Sequence, residues 1–148
     1  MKCKSASNNV VSFTIPSNPK YLALVRRVVS WYCRAYAGFS SQDTHGITLA
    51  VDEACSNIIK YSYEGNPDNI IVIRLLLESG NNLKIFIRDY GKCPKIANIK
   101  SRDLMDVRPG GLGVHFINTV MDSIVYDTSF NEGCMLIMSK LRGAGEKK

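Results

Sequence analysis

Glu53 and Asn57 stand four residues apart in Glu53-Ala-Cys-Ser-Asn57, a spacing that on a helix sends both side chains to one side. Asn57 offers a neutral amide oxygen that can complete an oxygen-rich magnesium shell beside phosphates and waters. Glu53 can serve a hydroxyl or a water as general base. The same spacing also describes a solvated helix face with a weak Glu–Asn contact. A second group is Asp89-Tyr90-Gly91, directly after an apolar run. A carboxylate at a strand end can accept a hydrogen bond from an exocyclic amine such as that of adenine, and Gly91, without a Cβ, lets a flat ring come close to the backbone. A plain Asp/Gly turn leaving a strand reads identically. The third group is Pro109-Gly110-Gly111-Leu112-Gly113. Glycines let backbone N–H groups turn inward around an anion, and a helix N-terminus behind them adds favourable partial charge. No Gly-Lys-Ser/Thr follows, so this is not a Walker A loop, and the glycine spacing does not fit the dinucleotide fingerprint.

The elements that must position these groups follow from periodicity. Val10–Ile15 is a short β-branched run that ends at Pro16 and predicts a strand. Ser17 or Asn18 then caps a helix with Pro19 in its first turn. Its apolar stripe is Leu22, Val25, Val29, Tyr32 and Tyr36, and Gly38 closes it. Ser40 or Ser41 caps a second helix with its buried stripe at Ile47, Ala50 or Val51, Ala54, Ile58 and Tyr61. Its polar shoulder carries Glu53, Asn57 and Lys60. After a turn-rich loop at 64–69, Ile70–Leu77 and Leu83–Arg88 predict a hairpin. Residues 90–111 show no periodicity beyond a single helical turn near Arg102, and so long a loop in a small domain is more often functional than accidental. Leu112–Met121 predicts a third helix, and Ser123–Thr128 and Cys134–Leu141 the final strands. The order β-α-α-β-β-loop-α-β-β predicts an α/β two-layer (α+β) sandwich with helices on one face of a mixed, mostly antiparallel sheet. One domain is expected over 1–148, its core at about 10–142.

Composition narrows the class. A hydrophobic share of 45% and a charged share of 22% are ordinary for a globular chain. No run approaches the length of a membrane span, and residues 1–9 lack the apolar core of a signal peptide, so no membrane association and a cytoplasmic location are expected. Cys3, Cys33, Cys55, Cys93 and Cys134 are odd in number and form no C-x-x-C pair, which predicts scattered reduced thiols. The net charge of +6 favours anionic partners, but Lys2, Lys4, Arg142, Lys147 and Lys148 sit near the termini. The nearest basic–aromatic cluster, Arg26-Arg27 with Trp31 and Tyr32, falls on an amphipathic helix, so no direct nucleic-acid binding is expected.

Taken in order, a helix with Glu-x-x-x-Asn, a strand ending in Asp-x-Gly, a long loop and a glycine turn onto a helix form a specific series. It resembles the Bergerat-type ATP-binding fold of the GHKL superfamily, to which DNA gyrase and histidine kinases belong. In that comparison Glu53 and Asn57 match the N box, Asp89 and Gly91 the G1 box, and Gly110, Gly111 and Gly113 the G2 box; the long loop at 90–111 matches the ATP lid. Val51-Asp-Glu-Ala-Cys-Ser-Asn-Ile-Ile-Lys-Tyr-Ser-Tyr63 and Gly110-Gly-Leu-Gly-Val-His-Phe-Ile117 are most similar to the bacterial anti-sigma-factor serine kinases. Tyr61 stands where these proteins often have histidine. The resemblance implies ATP and Mg²⁺, with Glu53 as catalytic base, Asn57 on the metal, Asp89 on adenine, and the Gly110–Gly113 amides with Leu112 around phosphate. Lys60, Arg108 and Lys95 are candidate cations. It also implies a STAS-type anti-sigma-factor antagonist or a sigma factor as partner, and a homodimer. His45 precedes the N box without the separate dimerisation helices of a phosphorelay, and His115 falls inside a helix. A regulatory ATP-binding module without kinase activity and a simple ATPase remain open beside the kinase.

Overall fold

A computed structural model describes residues 9–94 and 111–143. Its strands are β1 (Val10–Pro16), β2 (Ile70–Glu78), β3 (Asn82–Arg88), β4 (Ser123–Asp127) and β5 (Met135–Leu141). Its main helices are α1 (Leu22–Trp31), α2 (Ser41–Asn57) and α3 (Gly111–Val120). All five strands form one sheet in the order β1-β2-β3-β5-β4. Each of its four pairings is antiparallel. The expected mixed character is absent among the described residues for a topological reason: β3 and β4 do run in the same direction, as a crossover through α3 requires, but β5 enters between them.

Alternation decides which face is covered. The rows Phe13–Ile73–Ile87–Leu136–Tyr126 and Val11–Leu75–Ile85–Met138–Ile124 run across the sheet in register. Their central members are fully or almost fully buried, and they form the core with Val25 and Val29 of α1 and Ile47, Ala50, Val51, Ala54 and Cys55 of α2. Each such aliphatic side chain contributes roughly 1.5–3 kcal/mol by leaving water. The helices occupy this face, with α2 packed between α1 and α3. Gly46 is where α3 comes closest: a Cβ there would meet Val120 Cγ1 at 3.2 Å.

The ends of the helices are set locally. Ser40 Oγ accepts from Asp43 N at 3.1 Å and caps α2. Both α1 and α2 widen at their C-termini into a π turn, at Tyr32–Tyr36 and Ile58–Ser62. Gly38, at φ +73°, then turns the chain out of the first helix as expected. Of that helix's aromatics, Tyr32 belongs to the core, while Trp31 is 59% and Tyr36 43% exposed. Tyr61, placed on the buried stripe of the second helix by its spacing, is instead 54% exposed. The π turn accounts for this, because an i→i+5 turn rotates the residues beyond Asn57 off the α-helical stripe.

Candidate functional site

Glu53 and Asn57 lie on α2 above the buried Ala54, Cys55 and Ile58, and both are half-buried. Neighbouring Asp52 is engaged by Arg26 at 2.8 Å. Neither Glu53 nor Asn57 has a hydrogen bond or ion pair among the described residues. Their polar ends are therefore available to a ligand. Lys60 lies in the π turn that follows and is exposed; such turns recur where a helix serves a functional site.

The end of this helix is joined to the end of β3 by backbone contacts. Lys92 N donates to Ser62 O at 3.0 Å. Tyr90 N donates to Tyr63 Oη at 2.7 Å, and Tyr63 Oη in turn donates to Ile70 O at 2.6 Å. Gly91 is pressed so closely on this joint that a Cβ would overlap the Ser62 carbonyl. The absent side chain thus admits the protein's own backbone, where the sequence had predicted the approach of a flat ring. The segments bearing Asn57 and Asp89 are brought together by this seam. Tyr63 and Ser62, which make it, were not assigned a role from the sequence; a tyrosine directly after the Glu-x-x-x-Asn helix was the available signal.

Asp89 is 2% exposed. Oδ1 accepts from Gly91 N at 2.9 Å, and Oδ2 accepts from the Cys134 thiol at 3.6 Å. Its own N–H donates to Cys134 O at 3.1 Å, which fixes the residue against the start of β5. Burial raises its pKa above the ordinary carboxylate range, opposed by the Gly91 and Cys134 hydrogen bonds and by the charge of Arg88. A buried carboxylate with two donors keeps capacity for more, since its oxygens carry about four acceptor sites. Tyr126, across β5 on the covered face, is a further neighbour; burial raises its phenol first, and the Cys134 and Asp89 charges add to this.

Arg88 braces the outer side. Its guanidinium donates to Asp89 O, to Cys134 O at 3.2 Å and to Glu132 O at 2.7 Å. It also lies over the rings of Phe130 at 3.9 Å and Tyr90 at 4.4 Å. These contacts pin the β4–β5 turn to the end of β3.

Of the glycine group, Gly111 begins α3 and Leu112 and Gly113 follow in its first turn. Gly110, Arg108 and Lys95 lie outside the described residues. His45 is exposed and His115 half-buried, neither near a partner histidine. No cluster of metal-ligating side chains occurs among the described residues. The donors at hand are a lone amide and a carboxylate, which suit a magnesium ion that takes most of its ligands from phosphates and water. No described helix is long and apolar enough to cross a membrane.

Comparison with known proteins bears on the family and the fold. Residues 15–140 match the model of the histidine kinase-like ATPase domain. The serine-protein kinase RsbW of Bacillus thuringiensis (strain Al Hakam) is 28% identical over 138 residues, covering 88% of this chain and 83% of the relative. RsbW of Bacillus anthracis aligns with the same identity and coverage. Among solved structures, the RsbU and RsbW domains of a Mycobacterium tuberculosis protein superpose with a TM-score of 0.64 at 14% identity. That match covers 90% of this chain and 32% of the larger one. The histidine kinase domain of an Erythrobacter litoralis EL346 blue-light activated kinase superposes at 0.54 and 13% identity, covering 84% and 60%. At those identities the structures speak to the fold alone, and they bear out the two-layer architecture. The resemblance drawn from the three sequence groups is likewise borne out: the chain belongs to the histidine kinase-like ATPase domain family, and its similarity within it runs to the serine-protein kinases.

Proposed function

We propose that the chain binds ATP and transfers its γ-phosphoryl group to a serine of a STAS-type anti-sigma-factor antagonist, and that it also sequesters a sigma factor. The observation that carries the nucleotide half is Asp89: a buried carboxylate at a strand end, held by two donors and joined by a backbone seam to the helix bearing Glu53 and Asn57. Asp89 receives the adenine amine. Asn57 holds a magnesium ion, which when bound neutralises phosphate charge. Backbone amides of Gly110, Gly111, Leu112 and Gly113 receive the phosphates, with Lys60 and Arg108 as the candidate cations. Gly91 keeps the Asp89 turn seated against Ser62. Glu53 orients the incoming serine hydroxyl and takes its proton; positioning and charge neutralisation do most of the work in such transfers.

The support for serine as acceptor is the similarity to serine-protein kinases. The test is phosphate transfer from labelled ATP to a STAS-domain protein of the same genome. Glu53→Gln should abolish transfer while leaving nucleotide affinity within about threefold, because a proton acceptor acts on the transfer step and not on ground-state binding. A protein that binds ATP yet labels no partner would be a regulatory module, a reading that fits the lack, among the described residues, of any group orienting Glu53. Phosphate release without a partner would make it an ATPase.

We further infer a homodimer. Leu24 and Trp31, seven residues apart on α1, are 49% and 59% exposed, and Val10 at the start of the β1 edge is 44% exposed. Tyr36, tied to Asn9 by a 2.5 Å hydrogen bond, adjoins them. An outward aromatic stripe beside an edge strand is costly to leave in water.

A further inference from the structure

Buried tyrosine hydroxyls in this chain are tied to the backbone. Tyr32 Oη donates to Asn9 O at 2.5 Å and accepts from Leu77 N at 3.0 Å. Tyr63 Oη donates to Ile70 O and accepts from Tyr90 N. Tyr126 packs against the same core from β4, yet its hydroxyl has no hydrogen-bond partner among the described residues and is not sealed from solvent. A tyrosine set into a core ordinarily has a partner for its polar end. Its place is fixed along two axes. Tyr126 pairs with Leu136, and Leu136 with Ile87, so Tyr126, Cys134 and Asp89 share the helix-covered face. Cys134 is the diagonal neighbour of Tyr126 across the β4–β5 pair, about 7–8 Å away and within reach of an aromatic side chain. The Cys134 thiol already contacts Asp89 Oδ2. Along the other axis, β4 leaves α3 after only Met121 and Asp122 and runs back beneath it. Three strand steps from Ser123 carry Tyr126 about 10 Å along a helix roughly 15 Å long, toward the end at Gly111. The phenol therefore stands between the Asp89 carboxylate and the glycine start of α3.

We propose that Tyr126 is a second reading point for the nucleotide base, its phenol O–H donating to a ring nitrogen of adenine beside the amine that Asp89 receives, a role that rests on the reading of Asp89 as the adenine acceptor. Adenine presents that amine donor flanked by two acceptors, N1 and N7. An ionised carboxylate only accepts, whereas a phenol donates; side by side they offer the complement of that edge. Burial raises the phenol pKa, the Cys134 and Asp89 charges adding to this, so the O–H keeps its proton. Guanine sets a carbonyl oxygen where adenine has its amine, and Asp89 repels it, so the pair selects adenine. In the free protein the hydroxyl holds no other group of the described residues in place. Removing it therefore acts on binding and not on stability.

The experiment measures equilibrium binding of ATP, 1-deaza-ATP and 7-deaza-ATP to the full chain and to Tyr126→Phe, with thermal melting of both free proteins. Each deaza analogue replaces one ring nitrogen by C–H and so removes one acceptor. Tyr126→Phe is expected to weaken ATP binding by about three- to tenfold, the net worth of one hydrogen bond, and to melt at the wild-type temperature. One of the two analogues is expected to bind the wild type more weakly than ATP by a similar factor and to lose nothing further in Tyr126→Phe. Equal ATP affinity in wild type and Tyr126→Phe overturns the proposal. So does equal weakening of ATP and both analogues in Tyr126→Phe, whatever the melting temperature, because a packing role would give that result. A wild type that binds no ATP would sink the Asp89 reading itself. A wild type that binds ATP, with Asp89→Asn weakened and Tyr126→Phe unchanged, would leave that reading standing and remove only the role of Tyr126.

Discussion

On the proposed reading that Asp89 receives the adenine amine, stability and recognition oppose each other at this residue. Burial raises its pKa, so the folded chain holds that proton more tightly than the unfolded chain does. Stability therefore rises as the pH falls from the raised value towards the ordinary carboxylate range, and the cost of the buried charge is fully present above it. Affinity for an adenine nucleotide runs the other way, because the acceptor must be ionised: it is full above the raised pKa and declines as the pH drops through it. Isothermal titration across mildly acidic pH should show this decline in the wild type beyond that of Asp89→Asn, which has no carboxyl to titrate. The same substitution should weaken ATP binding by about tenfold or more at neutral pH, on the scale of a hydrogen bond to a charged group. It should melt no lower than the wild type, since it removes a buried charge and can still accept from Gly91. A marked fall in melting temperature would mean that the carboxylate is structural. Asp89 was legible in the sequence as a carboxylate after an apolar run. Its Cys134 partner was not, because that contact depends on which strand lies beside β3.

Between elements, the seam joining the end of α2 to the end of β3 does the positioning. Tyr63 Oη accepts from Tyr90 N and donates to Ile70 O, so one hydroxyl spans three segments. Tyr63→Phe leaves Tyr90 N without that acceptor and should cost about 0.5–1.5 kcal/mol, the net worth of a hydrogen bond whose donor can turn to water. Urea denaturation with an unchanged slope would register it, and ATP affinity should fall with it because the Asp89 turn loses one of its ties to the end of the Asn57 helix, Lys92 N to Ser62 O remaining. Tyr61→Phe, two residues earlier and exposed, serves as the control and should do neither. Element boundaries were legible nearly to the residue: the strands after the turn-rich loop, the Ser40 cap and the Gly38 stop all announce themselves in local chemistry. The π turns were not. Their wider hydrogen bonds leave no periodic trace in five residues, which is why Tyr61 was assigned to the buried stripe.

For the molecule as a whole, the two-layer architecture followed from the alternation of helical and strand patterns, and the family from the order of three groups. The strand order could not be read, since antiparallel pairs joined through long connections leave several sheets open. The exposed side of α1 is where the whole molecule makes its own prediction. Trp31→Glu places a charge in the proposed dimer face and should shift the protein from dimer to monomer in light scattering, with little change in melting of the monomer because Trp31 is already 59% exposed. A wild-type protein that is monomeric at high concentration would remove the homodimer. The insertion of β5 between β3 and β4 also orders events during biosynthesis. A nascent chain that has left the ribosome only as far as Asn131 has made β3, α3 and β4, yet both strands lack the neighbour that joins them. Asp89 at that moment has neither Cys134 as thiol donor nor Cys134 as backbone acceptor. Two unpaired strand edges therefore wait on the ribosome for the segment that will zip them together.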